Sequence, residues 1–238
     1  MAVSGDIIAE GKRDWLVIGW FTPDYRPLAN KLAANLAEHG AHFHLFAKPA
    51  LGTWNTRRKP EVVLEAMDRY PGKTLVLMDV DCVVRGNITP AADILGDVGI
   101  IVIARNQRRR RRVAHWLAME CSSRVVVFRP TDKARAFAET WADTIERSDV
   151  NHDEHSMAWA YLASPSVDFE YIDQAYSGRE LGQVAGAVIE HDSAHDEQRR
   201  ARRGPIRQAL RAFERRFLRS GRSQESRLQG ALSVARKA

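Results

Sequence analysis

Asp79 and Asp81 stand two residues apart, with only Val80 between them, directly after the apolar run Leu75 to Met78. Two carboxylates so close repel unless a cation or a proton lies between them, and Mg²⁺ or Mn²⁺ is the usual occupant. The run before them has the length and the β-branched flanks of a buried strand. Side chains two apart on an extended segment point the same way, so both carboxylates are expected to leave the carboxyl end of that strand together. In an open α/β sheet this is the end where ligands bind. The plainer reading is a pair of Asp residues capping a turn after a core strand.

The segments that must position this pair can be read in order. Residues 14–21 form a buried strand, and Pro27 opens a helix with Leu28, Leu32 and Leu36 on one stripe and Gly40 at its end. A second strand runs from Ala41 to Ala47, with His42 and His44 on one face as surface or satisfied sheet residues rather than ligands. A helix from Pro60 to Tyr70 precedes the strand that carries the carboxylates, giving βαβαβ with parallel strands and right-handed crossovers. Further on, Val98 to Ala104 reads as a strand, and Val113 to Cys121 and Ser123 to Phe128 as two more around a Glu-Cys-Ser-Ser turn. Phe137, Trp141 and Ile145 mark the packed stripe of a helix from Thr131 to Arg147. The next helix starts near Asn151, with Asp153 and Glu154 in its first turn, where acids complement the helix dipole. Two short strands follow, Phe169 to Ile172 and Ala187 to Glu190, the second delivering His191.

Length and charge bound the organisation. At 238 residues one large α/β domain is expected. Neither a transmembrane-length apolar run nor a signal-peptide pattern is present in the sequence, and Cys82 and Cys121 form no metal or disulfide spacing. A cytoplasmic protein with free thiols is the expectation. Residues 199–238 hold 13 Lys+Arg against Glu214 and Glu225, a net of +11; since the whole chain is +6, the rest carries −5. Ile206, Leu210, Phe213 and Phe217 make an apolar stripe in that tail, flanked by Arg207, Arg211 and Arg215. The division expected is therefore residues 1–195 as a catalytic domain and 196–238 as a basic amphipathic helical tail, suited to an anionic inner membrane face or to docking on the domain.

Together, Trp54, Lys59-Pro60, the Asp79-Val-Asp81 strand, Ser122-Ser-Arg-Val-Val-Val-Phe-Arg-Pro-Thr, the Trp141 helix and Asp153-Glu154 resemble nucleotide-diphospho-sugar glycosyltransferases of the GT-A fold, over about residues 14–191. The resemblance implies an α/β, Rossmann-like, mainly parallel central sheet flanked by helices. It implies a metal-dependent hexosyltransferase using a UDP-linked sugar, a glycan or lipid-linked acceptor, and retention of configuration. Mn²⁺ or Mg²⁺ would be held by Asp79, Asp81 and His191. Donor contacts would come from Thr22, Tyr25, Lys59, Asp79 and Ser122, and Asp153 and Glu154 would be the catalytic acids facing sugar and acceptor. One retaining branch has a His-x-x-Gly-x-x-Lys-x-Trp segment near its end; here His191-Asp-Ser-Ala-His195 and the arginine-rich tail stand instead, and arginines of the tail or of Arg108–Arg112 could supply diphosphate contacts.

Two alternatives compete. A strand ending in Asp-x-Asp also opens phosphatases of the haloacid dehalogenase type, with Asp79 as nucleophile, but those continue with Gly-Thr and carry the motif near the chain start. A sequence pI near 9.6 invites a non-catalytic basic nucleic-acid- or membrane-binding protein. The acidic body and the lack of any nucleic-acid motif argue against nucleic acid.

Overall fold

The computed structural model describes residues 5–49, 58–104, 119–147, 153–177 and 186–191. The chain divides into Met1–Asp192 and Ser193–Ala238. The basic tail, Arg108–Arg112, Trp54 and the expected strand residues before Met119 lie outside the described residues. The elements are β1 (Ile7–Ala9), β2 (Trp15–Phe21), α1 (Arg26–Glu38), β3 (His42–Ala47), α2 (Arg58–Arg69), β4 (Thr74–Met78) and β5 (Cys82–Val84). They continue with α3 (Thr89–Ala92), β6 (Val98–Ala104), β7 (Met119–Phe128), α4 (Asp132–Arg147), α5 (Asp153–Ala163), β8 (Phe169–Tyr171) and β9 (Ile189–His191). Among the described residues no helix is long and apolar enough to cross a membrane.

Among the described residues seven strands form one sheet in the order β1-β3-β2-β4-β7-β6-β8, and β5 pairs with β9 in a second. The βαβαβ expectation holds: β2 is parallel to both β3 and β4. Beyond β4 the sheet is mixed, since β7 lies antiparallel between β4 and β6, while β8 is parallel to β6. A strand the sequence reading omits, β1, adds antiparallel to β3.

Alternation along the strands feeds two cores. Trp15, Val17 and Phe21 of β2 pack with Ala29, Leu32 and Leu36 of α1. Leu16 and Ile18 turn to the other face, where Val62 and Val63 of α2, Phe137 and Trp141 of α4 and Met157 of α5 cover the sheet. Each fully buried aliphatic side chain contributes about 1.5–3 kcal/mol relative to exposure. Trp141 is wholly buried and its indole N–H donates to Ser156 Oγ at 3.1 Å, so the stripe read as core packing is that. Gly40, at φ 63°, ends α1 in the left-handed conformation that glycine adopts at little cost.

One reading is overturned. Glu120 to Ser123 is not a turn; it belongs to the single strand β7. Its serines are compatible with a turn, but Cys121 and Ser122 are fully buried and pair with Val102 and Ile101 of β6, which meets backbone groups that a surface loop would leave to water.

His44 is also buried, and its two ring nitrogens are both used. Nε2 lies 2.9 Å from Asp6 Oδ2, and Nδ1 lies 2.9 Å from the Tyr70 hydroxyl. Asp6 Oδ1 accepts from Ala47 N–H at 2.8 Å, so the network also fastens the chain just before β1 to the end of β3. Burial pushes the imidazole below its ordinary value of 6.5 despite the opposing Asp6 charge, and the ring is neutral. A base whose folded value is depressed costs stability as pH falls through its unfolded value, because the unfolded chain takes up the proton first. Asp6 is held below its ordinary 3.8: burial raises it, but the Ala47 and His44 hydrogen bonds outweigh that, and its contribution is lost only at lower pH. The melting temperature is expected to fall as pH drops from 7 towards 5. A His44→Leu variant, less stable at pH 7, should show a shallower slope over that interval; an unchanged slope would rule His44 out as its source.

Candidate functional site

The carboxyl end of β4 delivers the acidic pair, though by a different path from simple strand alternation. The strand stops at Met78, and residues 79–81 turn, with Cys82 N–H donating to the Asp79 carbonyl at 3.0 Å. Asp79 N–H donates in turn to the Arg124 carbonyl of β7 at 3.0 Å, which ties the turn to the sheet. Beside it, β2 contributes Gly19: a Cβ there would lie 2.7 Å from the Met78 carbonyl oxygen, so only glycine allows β2 to approach the backbone that leads into Asp79.

Lys59, in the first turn of α2, reaches into this corner. Its ammonium lies 2.7 Å from Asp79 Oδ1 and 2.6 Å from Asp153 Oδ2, and it donates to Ser123 O at 3.0 Å and Oγ at 3.1 Å. Ser123 Oγ itself donates to Asp153 Oδ2 at 2.6 Å. Lys59 is 5% exposed. With its three N–H bonds taken by protein oxygens, it serves as an internal counter-ion rather than as the phosphate contact expected of it. Burial alone would favour a neutral amine; the two carboxylates outweigh it and hold Lys59 well above its ordinary value. Burial also opposes ionisation of Asp153, but the Lys59 charge and the bonds from Lys59 and Ser123 keep it ionised, below its ordinary value.

Asp79 is pushed the other way, upward, by burial and by its acidic neighbours Asp81 and Asp153, against the pull of Lys59. Asp81 is raised by burial but lowered more by the hydrogen bond and charge of His191, whose Nε2 lies 2.9 Å from Asp81 Oδ1. Among the described residues three carboxylates thus share one ammonium and one imidazole, an excess of acidic groups. Ligand atoms of Asp79, Asp81 and His191 all lie within 4.8 Å of one another. His191 Nδ1 is buried without a hydrogen-bond partner among the described residues. Two carboxylates, one imidazole and an excess of acidic groups fit a divalent cation.

The remaining expected residues take different places. Thr22 is buried just before a 3₁₀ turn, Pro23–Tyr25; its carbonyl accepts from Tyr25 N–H at 2.9 Å and its hydroxyl donates to the Asp24 carboxylate. Tyr25 is half-buried in the same connection; burial and the charges of Asp81, Asp24 and Asp79 push its phenol up, so it stands at the edge of the acidic cluster. Glu154 follows Asp153 in α5 and lies 3.8 Å from Arg124 Nη2. Ser122 is buried and shares a hydrogen bond of 3.0 Å with Ser177 Oγ, away from Lys59.

The residue that does reach Lys59 and Asp153 is the neighbour, Ser123, which sequence reasoning passed over. Strand alternation allows only one of two adjacent serines to face α2, and nothing local decides which. An irregularity in β7 decides it. Pairing runs from Gly99↔Val127 to Ile101↔Ser122, so two steps along β6 match five along β7, and Ser123 and Arg124 leave the regular ladder there. Such bulges re-aim side chains beside functional sites.

No protein-family model and no curated protein matches the chain in sequence. Its structure is similar to that of a glycosyltransferase involved in glycosylation of the major capsid of PBCV-1, with TM-score 0.56 and 13% identity, over 75% of this chain and 92% of that one. It is also similar to the apo form of the glycosyltransferase GlyE of Streptococcus pneumoniae TIGR4, with TM-score 0.50 and 10% identity. That match covers 74% of this chain and 54% of the other, so the chain spans about half the length of GlyE. At such identities the likeness establishes the fold, an α/β fold of GT-A type.

Removing Lys59 leaves Asp79 and Asp153 facing each other, buried and unpaired. Lys59→Met is therefore expected to cost about 3–5 kcal/mol in urea unfolding at pH 7. A cost below about 1 kcal/mol would show that the ammonium does not hold the cluster together.

Proposed function

We propose that this chain, folded as GT-A glycosyltransferases are, transfers a sugar from a nucleoside diphosphate to a hydroxyl acceptor. The reading rests on one observation above others: Asp79, Asp81 and His191 converge at the carboxyl end of the β4 strand, next to the Lys59–Asp153 pair. In this reading the donor is UDP-linked, the acceptor is a glycan or a lipid-linked glycan, and configuration is retained. Asp79, Asp81 and His191 would hold Mn²⁺ or Mg²⁺, which supplies Lewis-acid stabilisation of the charge on the departing diphosphate.

The chain's own groups do the rest. Tyr25 offers a ring at the edge of the cluster on which a base can stack, and Thr22 fixes the turn that carries it. Lys59 holds Asp153 ionised. A carboxylate held that way is suited to stabilising positive charge that develops at the sugar carbon, and poorly suited to taking a proton from an incoming hydroxyl. Retention without a dedicated base is consistent with that. Glu154, 3.8 Å from Arg124 Nη2 and next to Asp153, orients the acceptor hydroxyl. In this reading the basic residues of 196–238 bring a cytoplasmic enzyme to the anionic inner membrane face.

Release of nucleoside diphosphate from a panel of UDP- and GDP-sugars tests the reaction. Slow Mn²⁺-dependent hydrolysis of one donor is expected, falling at least about 100-fold in Asp81→Ala. Hydrolysis of an aryl phosphate through Asp79, with no nucleotide sugar turned over, would replace this reading with the phosphatase one. Asp153→Asn should lower turnover by about 10²–10³-fold while leaving Mn²⁺–UDP affinity near wild type; a parallel loss of affinity would make Asp153 a binding group. Neutralising Arg207, Arg211 and Arg215 together should weaken binding to anionic liposomes without affecting donor binding, and unchanged liposome affinity would end the membrane proposal.

A further inference from the structure

The strand β5 has three residues and lies outside the seven-stranded sheet. One of its edges meets β9, with Cys82 opposite His191 and Val84 opposite Ile189, and Arg85 N–H donates to the Val188 carbonyl at 2.7 Å. The other edge has no strand partner among the described residues. There the side chain of Asn35, in α1, takes a strand's place. Its Oδ1 accepts from Val84 N–H at 2.7 Å and its Nδ2 donates to the Val84 carbonyl at 3.0 Å. His39 Nε2, one helical turn on, lies 3.2 Å from the same carbonyl. Val84 is 1% exposed, so water cannot substitute for these partners. A side-chain amide carries a donor and an acceptor side by side, as a peptide group does, and can therefore pair with both groups of one residue.

The position of β5 matters because of what it joins. It begins directly after Asp81, and the strand it pairs with ends in His191. Asp79 is fixed separately, through Arg124 of β7. Two members of the acidic and imidazole group therefore depend on β5, and the third depends on the main sheet. The turn closed by Cys82 N–H on the Asp79 carbonyl links the two parts at one end, and the grip of α1 on Val84 holds β5 at the other. We propose that Asn35 is a positioning residue for the cation group: by clamping Val84 to α1 it keeps Asp81 and His191 within ligand distance of Asp79. The proposal rests on the reading of those three residues as cation ligands.

The test is titration of the full-length protein with Mn²⁺ alone, with free Mn²⁺ followed by electron paramagnetic resonance. Asn35→Asp keeps the size and the acceptor but turns a carboxylate oxygen on the Val84 carbonyl; Asn35→Ala removes both bonds. Each is expected to weaken Mn²⁺ binding about tenfold or more, as loss of a group that orients metal ligands does. His39→Ala, which removes only the second donor to Val84, should give a smaller loss in the same direction and serves if Asn35→Ala fails to fold. Leu36→Ala, on the same helix but without a bond to Val84, should lower the melting temperature in EDTA and leave Mn²⁺ affinity within about twofold. Wild-type affinity in both Asn35 variants overturns the proposal, and so does an equal loss in Leu36→Ala, which would mark a general loosening of α1. A wild-type protein that binds no Mn²⁺ overturns the cation reading itself, and that failure shows before any variant is made.

Discussion

A single ammonium group, Lys59 Nζ, holds together two carboxylates that come from separate elements, Asp79 from the turn after β4 and Asp153 from the first turn of α5. A buried charge is costly unless it is paired and its hydrogen bonds are met, and here the pairing dictates where several elements must begin. Helix α2 starts at Arg58, so Lys59 sits in a first turn where the helix dipole disfavours a cation; the carboxylates offset this. Helix α5 starts at Asp153, which gains from the dipole at its own N-terminus and completes the pair. Strand β7 departs from its register so that Ser123 can bond both partners. The acidic pair after β4 would be a repulsive cluster without these arrangements.

Much of this was legible in the sequence because its signals are local. The apolar run into Asp79 and Asp81, the helix stripe through Leu32 and Leu36 and the Trp141 stripe each repeat within a few residues, where periodicity can be read. What stayed hidden depends on partners far apart in the chain. Ser123 and Lys59 meet across the sheet, and only the irregularity between β6 and β7 shows that Ser123 rather than Ser122 faces them. Asn35 carried one faint signal, a polar residue beside Leu32 and Leu36 on the stripe that faces the core. A polar group there must find a buried partner, but which one could not be read off. Strand β1, three residues long, is too short for its alternation to stand out.

The same contrast separates the two buried polar clusters. Around His44 the network is closed: Asp6 and Tyr70 take the two ring nitrogens, and the Ala47 amide takes the other oxygen of Asp6. Around Asp79 three carboxylates crowd one ammonium, and His191 Nδ1 is left without a protein partner among the described residues. A satisfied cluster is a fastening; an unsatisfied one is an invitation to a ligand. The two histidines look alike in sequence, each within a short strand, and only their surroundings tell them apart.

Pairing of Cys82 with His191 joins residues far apart along the chain. It closes a loop of roughly 110 residues, and pairings of that range form late because the chain must be ordered before they repay its entropy. The strands β1 to β7 and their covering helices all precede it in the sequence. During synthesis the sheet can therefore be complete while Asp79 and Asp81 still lack their imidazole. The group of Asp79, Asp81 and His191 is therefore completed only after residue 191 has been made, and a chain ended before it would carry the acidic turn without its imidazole partner.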